Sequence, residues 1–356
     1  MLHTLRKAFG MRGLDQELQA LREKCENLEQ ENSALRSESN FKKSKAPTPA
    51  VVGNATYKQE IEITDEYRSF FSEVLLKTSY SYVPSDQRDS ESVKAELSAH
   101  VDGRFSIFDQ LIIPWIKMIK PQMKELIAVE IGSGTGSSTL AFAPHVAKIY
   151  SFEIDSIASD AAEQRLNFFG LGNVEIRREL FSPSSHIVQS GEKVDLIILC
   201  AVLEHMSHSE RQEALSTAWG LLASGGLLVV ADTPNRFAVF DEHTSLLPFF
   251  SSLPPEIQSD YAKYSPRTDF AESIKNAEST EVLTRWGSGV SYQDFELAIG
   301  ADVHNHIVLN GYESVLMGRY PDRIDDQLLR MAFDCYLPNA NIAFTRHNLH
   351  LAIKKP

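Results

Sequence analysis

Residues 129–139 read VEIGSGTGSST and decide the fold of this chain. The apolar residues 128–131 predict a buried strand that carries Glu130 near its end. A helix is predicted over residues 137–143. The turn between the two contains three glycines at spacings of two, Gly132, Gly134 and Gly136. Because glycine lets the backbone turn sharply and approach a ligand closely, strand, turn and helix together predict a nucleotide-binding corner.

Two other interpretations of the loop stay open at this point. The glycines can simply link a strand to a helix, because a GxGxG pattern alone is a weak motif. A dinucleotide site is the second alternative, but its G-x-G-x-x-G pattern requires a glycine where this chain has Ser137. Context elsewhere in the chain has to decide which nucleotide binds.

Length and composition exclude several function classes. The 356 residues suffice for one large domain or two small ones with a sizeable core. The net charge of −13, from 48 acidic and 35 basic residues, argues against nucleic acid as the main partner. Cys25, Cys200 and Cys335 lie far apart, which indicates a reducing compartment, and we expect a cytoplasmic protein. No transmembrane segment is predicted, although the basic N-terminal segment can lie on a membrane surface.

The N-terminal arm carries a heptad repeat over residues 11–38. Leucines occupy one seam position, and the other is mostly apolar with Asn32 as a polar exception that favours a defined register and dimer. Three pairs of opposite charge flank the seam, as in a parallel coiled coil. We therefore predict a parallel coiled coil of ~40 Å that pairs two copies or docks on a coiled-coil partner. The alternative is a solvated single helix.

The chain is divided by composition. A linker rich in lysine and proline follows the arm, and helical patterns with a break at residues 82–89 precede the first strand. The predicted organisation is a coiled coil at 1–40, a linker at 41–60 and a catalytic domain at 61–356, which includes a helical cap at 61–120 and an insertion at 236–290.

Strands and helices alternate through the catalytic domain. Strands are predicted at 126–131, 147–153, 174–178, 194–200, 227–231 and 306–309, and helices at 156–169, 204–222, 291–299 and 325–336. This alternation predicts an α/β fold with a doubly wound parallel sheet of seven strands. The last strand, at 347–354, is expected to pair antiparallel at the sheet edge.

A second motif narrows the choice of nucleotide. Residues 219–230 read WGLLASGGLLVV, a helix, a Ser-Gly-Gly turn and a strand. With the D/E-x-G-x-G-x-G loop, this turn resembles the class I S-adenosylmethionine-dependent methyltransferases, which have L-x-P-G-G-x-L/V before their fifth strand. Ser224 replaces the usual proline. The resemblance covers roughly residues 100–356 and implies a Rossmann-like fold with S-adenosylmethionine as cofactor.

The resemblance also implies cofactor contacts. Glu153, at the end of the second strand, takes the ribose, which an acid can do by accepting both hydroxyl hydrogens. Glu179 and Leu180 meet the adenine after the third strand. Cys200 and Ala201 face the sulfonium at the end of the fourth. The residues expected to line the methionine moiety are Glu130, Gly132, Ser133, Gly134 and Gly136.

Catalytic candidates follow the fourth and fifth strands. A neutral imidazole at His205 can remove a proton from an acceptor hydroxyl. His243, with Asp241 two residues before it, can be a base oriented by a carboxylate. Similar ubiquinone-pathway and small-RNA O-methyltransferases have Glu-x-x-Glu-His at the position of His205 and bind a divalent metal. Because Ala201 replaces the first glutamate, no tight metal is predicted.

The insertion is expected to shape the acceptor pocket, because binding residues often lie on loops held by a rigid scaffold. The predicted acceptor contacts are Asn235, Arg236 and Arg104. The sequence predicts methyl transfer to a hydroxyl of a small molecule or saccharide, with surface-glycan biosynthesis suggested by resemblance. The alternatives are a methyltransferase-fold scaffold that works through its coiled coil, and an NAD-dependent dehydrogenase.

Overall fold

The computed structural model describes residues 59–356. The heptad repeat and nearly all of the predicted linker lie outside these residues, so the coiled coil stays a prediction. Within residues 59–356, no helix combines the length and the apolar character needed to cross a bilayer.

A helical segment precedes the sheet, where the sequence predicted a cap. Helix α1 spans Asp65–Lys77. Its N-cap residue is Thr64, whose hydroxyl accepts a hydrogen bond from the Tyr67 amide. After the predicted break, the chain is helical from residue 91 to residue 117 and passes through two π-helical turns. Its α-helical parts are α2 (Glu91–Ser98), α3 (Arg104–Ile107) and α4 (Ile113–Lys117).

One mixed sheet of seven strands forms the centre of the domain. Its order is β3-β2-β1-β4-β5-β7-β6, and only β7 runs antiparallel to its neighbours. A dinucleotide-binding sheet has the order 3-2-1-4-5-6, so this topology argues against the dehydrogenase alternative. The strands are β1 (Ile127–Ile131), β2 (Lys148–Phe152), β3 (Val174–Arg177), β4 (Val194–Cys200), β5 (Leu222–Pro234), β6 (Ile307–Leu309) and β7 (Asn348–Lys354).

Helices flank the sheet on both faces. The sequence pattern predicted four of these ten helices within one residue at each end, since amphipathic periodicity and caps are local signals. They are α5 (Ser137–Phe142), α6 (Ser156–Phe168), α7 (His186–Gln189), α8 (His208–Leu221), α9 (Pro255–Tyr261), α10 (Thr268–Lys275), α11 (Glu281–Trp286), α12 (Tyr292–Ile299), α13 (Ser314–Met317) and α14 (Ile324–Tyr336).

Two sequence predictions about these elements are wrong. Strand β7 is antiparallel, as predicted, but it lies between β5 and β6, and the short β6 forms the edge. The helix predicted at 204–222 begins later, because Ser207 and Glu210 form a capping box that starts α8 at His208. The preceding Leu203–His205 is a separate 3₁₀ turn.

The core consists of two apolar layers, one on each face of the sheet. Central strand β4 is buried on both sides, as its continuous apolar run predicts. The insertion between β5 and α12 has a smaller apolar cluster of its own, formed by Phe250, Ala262, Phe270, Ile274 and Leu283. Its two ends meet in a parallel bridge between Asn235 and Val290.

Candidate functional site

The glycine loop between β1 and α5 has three glycines in the left-handed region, with φ of +74°, +52° and +79°. A Cβ on Gly132 would lie 2.2 Å from the Val202 side chain, and one on Gly136 would lie 3.0 Å from Ala162 of α6. Only Gly134 has open space on that side. The predicted lining of the methionine moiety is therefore corrected for Gly136, which allows α6 to pack closely, whereas Gly134 is open to a ligand.

Glu130 supports this loop from behind. Its carboxylate is buried and accepts hydrogen bonds from the hydroxyls of Ser138 and Thr139 in the first turn of α5. Burial raises the pKa of Glu130. The predicted direct contact with the cofactor is corrected accordingly: the side chain faces the helix and ties it to β1. Ser133, beside it in the loop, is buried as well.

Glu153 lies beside Gly134 after the end of β2. One carboxylate oxygen accepts a hydrogen bond of 2.7 Å from the Gly134 amide, and the other accepts one of 2.8 Å from the Asp155 amide. A carboxylate offers about four acceptor positions, so the group can still receive the two hydroxyls of a ribose. The loop and the predicted ribose acid are thus connected before any ligand binds.

Exposed apolar side chains follow the ends of the neighbouring strands β2 and β3. Leu180 is 48% exposed and Glu179 beside it is exposed, as an adenine contact after β3 requires. Sequence analysis missed Ile154, which directly follows Glu153 and is 68% exposed. An apolar residue immediately after the strand-end acid was the available signal. Because β2 and β3 are neighbours, Ile154 and Leu180 lie at adjacent strand ends, where a flat ring can cover them.

The last residue of β4, Cys200, and the residue that follows it, Ala201, differ in their exposure to solvent. The Cys200 side chain is buried in an apolar layer, and burial raises the pKa of its thiol well above the usual value. Its predicted position facing the sulfonium is therefore corrected. Ala201 is exposed and adopts a positive φ of 49°, so the strand edge opens at this residue.

The turn after β4 brings together three groups that sequence analysis did not connect. Glu204 is fully buried, and its Oε1 lies 3.7 Å from Nε2 of His243 and 4.0 Å from Nε2 of His205. The two rings are 5.3 Å apart. Burial raises the pKa of Glu204 to about 8 and lowers the pKa of both histidines. We call Glu204, His205 and His243 the carboxylate–histidine cluster.

The predicted pairing of Asp241 with His243 is wrong. Asp241 is buried and accepts hydrogen bonds from the backbone amides of Thr244 and Ser245 and from the Ser245 hydroxyl. An aspartate readily forms such a turn with the amides that follow it, and this local contact uses both oxygens. His243 instead faces Glu204, which precedes it by 39 positions in the sequence.

The cluster also bears on metal binding. One ligand atom from each of its three residues lies within 4.8 Å of the others. The sequence predicted no tight metal because Ala201 replaces a glutamate. His243, from the distant insertion, supplies a third group that this reasoning did not include. Nitrogen and carboxylate oxygen ligands of this kind suit first-row transition metals.

Arg211 of α8 holds the turn in place. It is buried and donates hydrogen bonds to the backbone carbonyls of Leu203, Ser288 and Gly289 at distances between 2.7 and 3.2 Å. Asp294 lies 3.6 Å from its guanidinium. The side chain therefore joins the turn after β4 to the end of the insertion. The role of Arg211 was not predicted, because no local sequence pattern distinguishes a buried arginine on a helix from an exposed one.

Two predicted acceptor contacts fit the structure poorly. Asn235 is buried, and its amide donates to the carbonyls of Phe344 and Arg346 while its oxygen accepts from the Phe237 amide. It therefore joins β5 to the segment before β7, and the predicted acceptor contact is wrong. Arg104 is exposed and forms no ion pair within residues 59–356. Arg236 is half-buried beside the bridge that closes the insertion.

A cavity of about 390 Å³ adjoins the two histidines. Two arginines reach it, and both already have acidic neighbours: Arg285 pairs with Glu210 and Glu281, and Arg267 lies 3.4 Å from Asp269. The residues that line the cavity are His205, His243, Arg267, Val282, Arg285 and Trp286. Their position beside the end of β4 makes this cavity the candidate acceptor pocket.

Comparison with known proteins supports the interpretation of the sheet. A family model described as a methyltransferase domain matches residues 129–228, from β1 into β5. No curated protein matches the chain.

Solved structures with partial likeness include three methyltransferases. An rRNA methylase from Streptococcus thermophilus is 24% identical over 33% of this chain and 68% of its own, with a TM-score of 0.29. An S-adenosylmethionine-dependent methyltransferase from Clostridium acetobutylicum is 14% identical over 50% of this chain and 61% of its own, with a TM-score of 0.33. An amino pentose methyltransferase from Micromonospora echinaspora is 17% identical over 40% of this chain and 56% of its own, with a TM-score of 0.32. The chain spans less than two thirds of the latter two.

The glycine loop and strands β2, β3 and β4 lie in the segment that the family model matches, within a sheet of order 3-2-1-4-5-7-6. An acid after β2 adjoins that loop, as a ribose-binding carboxylate must. Residues 129–228 therefore match a methyltransferase domain, and this match, together with the loop and its neighbouring acid, indicates S-adenosylmethionine as the methyl donor.

Proposed function

We propose that this domain transfers the methyl group to a hydroxyl of a small molecule, and that a saccharide is the preferred acceptor. One observation carries the proposal. The carboxylate–histidine cluster and its cavity follow β4 directly, where the resemblance to class I enzymes leads us to expect the reactive methyl group.

The chemistry of the cluster favours an oxygen nucleophile. An alcohol has to lose its proton as the methyl group arrives, whereas a neutral amine attacks through a lone pair that is already free. Burial lowers the pKa of His205 and of His243, so both imidazoles are neutral near pH 7. A neutral imidazole can accept the hydroxyl proton, and burial of the adjacent Glu204 raises its pKa to about 8, so this group is itself mostly protonated at pH 7.

The charge and size of the cavity favour an uncharged polar acceptor. Its volume of about 390 Å³ lies in the range of small-molecule pockets. The charges of Arg285 and Arg267 are balanced by acidic neighbours, so the pocket has little excess positive charge for a phosphorylated ligand. Trp286 adds an aromatic ring to a wall of polar side chains, a composition that suits the apolar and hydroxylated faces of a sugar.

The methyl donor needs little activation, because the sulfonium is already reactive. Most of the rate enhancement is therefore expected from holding the acceptor oxygen in line with the methyl carbon and the sulfur. The bond from sulfur to methyl breaks, its electron pair stays on sulfur, and the bond from oxygen to methyl forms as the hydroxyl proton passes to a neutral imidazole of the cluster.

Mass spectrometry of acceptors incubated with S-adenosylmethionine tests the proposal. The panel contains neutral monosaccharides and glycosides, their phosphates, and the matching amino sugars. We expect a gain of one methylene on a neutral hydroxylated compound. The Glu204→Gln variant should lower kcat at least ~100-fold. The control His208→Ala removes an exposed imidazole outside the cavity and should keep the rate. Methylation of amines alone would contradict the proposed acceptor class.

The N-terminal arm belongs to the same proposal. Residues 11–38 are proposed to pair two copies of the chain, and the cytoplasmic location is likewise proposed from the sequence. Light scattering of the purified full chain measures the first point, and a monomer would overturn it.

A further inference from the structure

The protonation of His205 follows from its hydrogen bond. Its Nδ1 lies 3.0 Å from the backbone carbonyl oxygen of Arg285. A carbonyl oxygen can only accept, so Nδ1 carries the hydrogen. In the neutral ring, the other nitrogen, Nε2, then presents a lone pair. That lone pair belongs to the nitrogen nearest Glu204.

The same reasoning applies to His243 through one further residue. Its Nδ1 lies 3.0 Å from the hydroxyl oxygen of Thr244. That hydroxyl donates its only hydrogen to the carbonyl of Gly287 at 2.8 Å, so toward His243 it can only accept. His243 therefore carries its hydrogen on Nδ1, and its Nε2 also presents a lone pair toward Glu204.

Three lone-pair-bearing groups therefore face one another. Both carboxylate oxygens of Glu204 are buried without a hydrogen-bond partner among residues 59–356. Burying such a group unpaired is costly, so a positive charge or a proton has to lie among the three residues.

The distances distinguish a metal ion from a proton. At 3.7 and 4.0 Å, the Oε1 to Nε2 separations are too long for a shared hydrogen. Ligands at about 2.1 Å from a tetrahedral ion are about 3.4 Å apart, so small side-chain movements bring all three groups onto one ion. A proton can compensate only one contact, whereas a cation at the centre compensates all three.

We propose that Glu204, His205 and His243 bind one divalent first-row transition metal ion. Two imidazole nitrogens and one carboxylate select Zn²⁺, Mn²⁺ or Fe²⁺ over Mg²⁺ or Ca²⁺, which prefer oxygen ligands. The carbonyl of Arg285 and the hydroxyl of Thr244 hold the two rings with Nε2 toward the ion, as outer partners of metal-binding histidines do.

Three protein ligands leave coordination positions open toward the cavity. With the ion bound, both Nε2 lone pairs are used, so an acceptor hydroxyl would release its proton to water in the cavity, which is easier because the ion stabilises the alkoxide. This catalytic consequence depends on the proposed function, whereas the binding of the ion does not.

Binding is measured on the untagged full chain after dialysis against a chelator. Co²⁺ is added and the absorption between about 500 and 650 nm is recorded, followed by calorimetry with Zn²⁺. We expect one equivalent per chain and a tetrahedral or five-coordinate cobalt spectrum. His243→Ala, whose half-buried ring lies at the surface of the cluster, should weaken binding at least ~100-fold, and Glu204→Gln should do the same.

His208→Ala is the matched control, because His208 is exposed and outside the cluster. Its affinity for Zn²⁺ should stay within twofold of the parent. Calorimetry with S-adenosylmethionine establishes that each variant is folded. Absence of stoichiometric binding to the parent chain would overturn the proposal, and so would unchanged binding in folded His243→Ala. Neither experiment contains an acceptor, so a wrong acceptor class cannot affect the outcome.

Discussion

Two buried glutamates at the same edge of the sheet have opposite surroundings. Glu130 is the last residue but one of β1, and both of its oxygens accept hydrogen bonds from hydroxyls of the next helix. Glu204 follows β4, and neither of its oxygens has a hydrogen-bond partner among residues 59–356. Burial raises the pKa of both carboxyls. The carboxyl group beside the glycine loop is thus fully paired within the chain, whereas the one on the proposed acceptor side still needs a counterpart.

The two glutamates also differ in the interactions that fix the backbone around them. On the cofactor side, backbone amides and neighbouring hydroxyls define the loop over a short stretch of sequence. On the proposed acceptor side, Arg211 fixes the backbone around Glu204 by hydrogen bonds to two segments that are far apart in the sequence. One is the turn at Leu203, and the other is the end of the insertion at residues 288–289. The orientation of Glu204 therefore depends on the insertion being docked. Three changes test this contrast.

The largest expected effect is that of Arg211→Met. The substitution keeps the bulk of the side chain but removes the guanidinium that donates to the carbonyls of Leu203, Ser288 and Gly289 and that lies next to Asp294. We expect unfolding in urea to become easier by about 3–5 kcal/mol, the scale for breaking a buried charged contact. Arg178→Met removes an exposed arginine with two acidic partners and should cost less than about 1 kcal/mol. Equal losses in the two variants would contradict the contrast.

The next effect concerns the cofactor side alone. Glu153→Ala removes the carboxylate beside Gly134 and should weaken S-adenosylmethionine binding by ~1.5–3 kcal/mol, the scale for hydrogen bonds to a charged group. Calorimetry measures the affinity directly. Glu163→Ala, an exposed acid on α6, is the control and should bind as the parent does. Unchanged affinity of Glu153→Ala would show that the ribose lies elsewhere.

The smallest effect is a dependence of stability on pH. His100 lies in the cap behind the loop, and burial lowers its pKa from 6.5 to about 4. The unfolded chain therefore binds more protons than the folded chain between pH 6.5 and pH 4. The stability from the neutral ring is complete above pH 6.5 and is lost as the pH falls toward 4.

Denaturation at pH 7 and pH 4.5 measures this loss, which should be about 1–3 kcal/mol smaller in His100→Gln than in the parent. His186→Gln, at an exposed position, should behave as the parent does. If His100→Gln loses as much stability as the parent between the two pH values, the ring is solvated and the cap does not bury it.

These two regions also differ in how well the sequence predicted them. The glycine loop and the acid after β2 were predicted because their signals lie within short segments of regular periodicity. The Ser-Gly-Gly segment, predicted as a turn before the fifth strand, instead lies inside β5. The pairing of His243 with Glu204 was not, because it joins segments 39 residues apart. The nearby Asp241 suggested a partner that its own turn already uses. The position of β7 inside the sheet depends on the short β6, whose pairing no local pattern indicates.

The bridge between Asn235 and Val290 has a consequence for how such enzymes change. The Arg236 amide donates to the Val290 carbonyl, and the Val290 amide donates to the Pro234 carbonyl, so the whole insertion starts and finishes at one point. A Cβ on Gly289 would meet the Arg236 backbone at 2.4 Å, which fixes the closeness of this junction. Segments of different length can therefore be exchanged there without altering strand register, and under the proposed function such an exchange changes the acceptor side while the methyl-donor side stays constant.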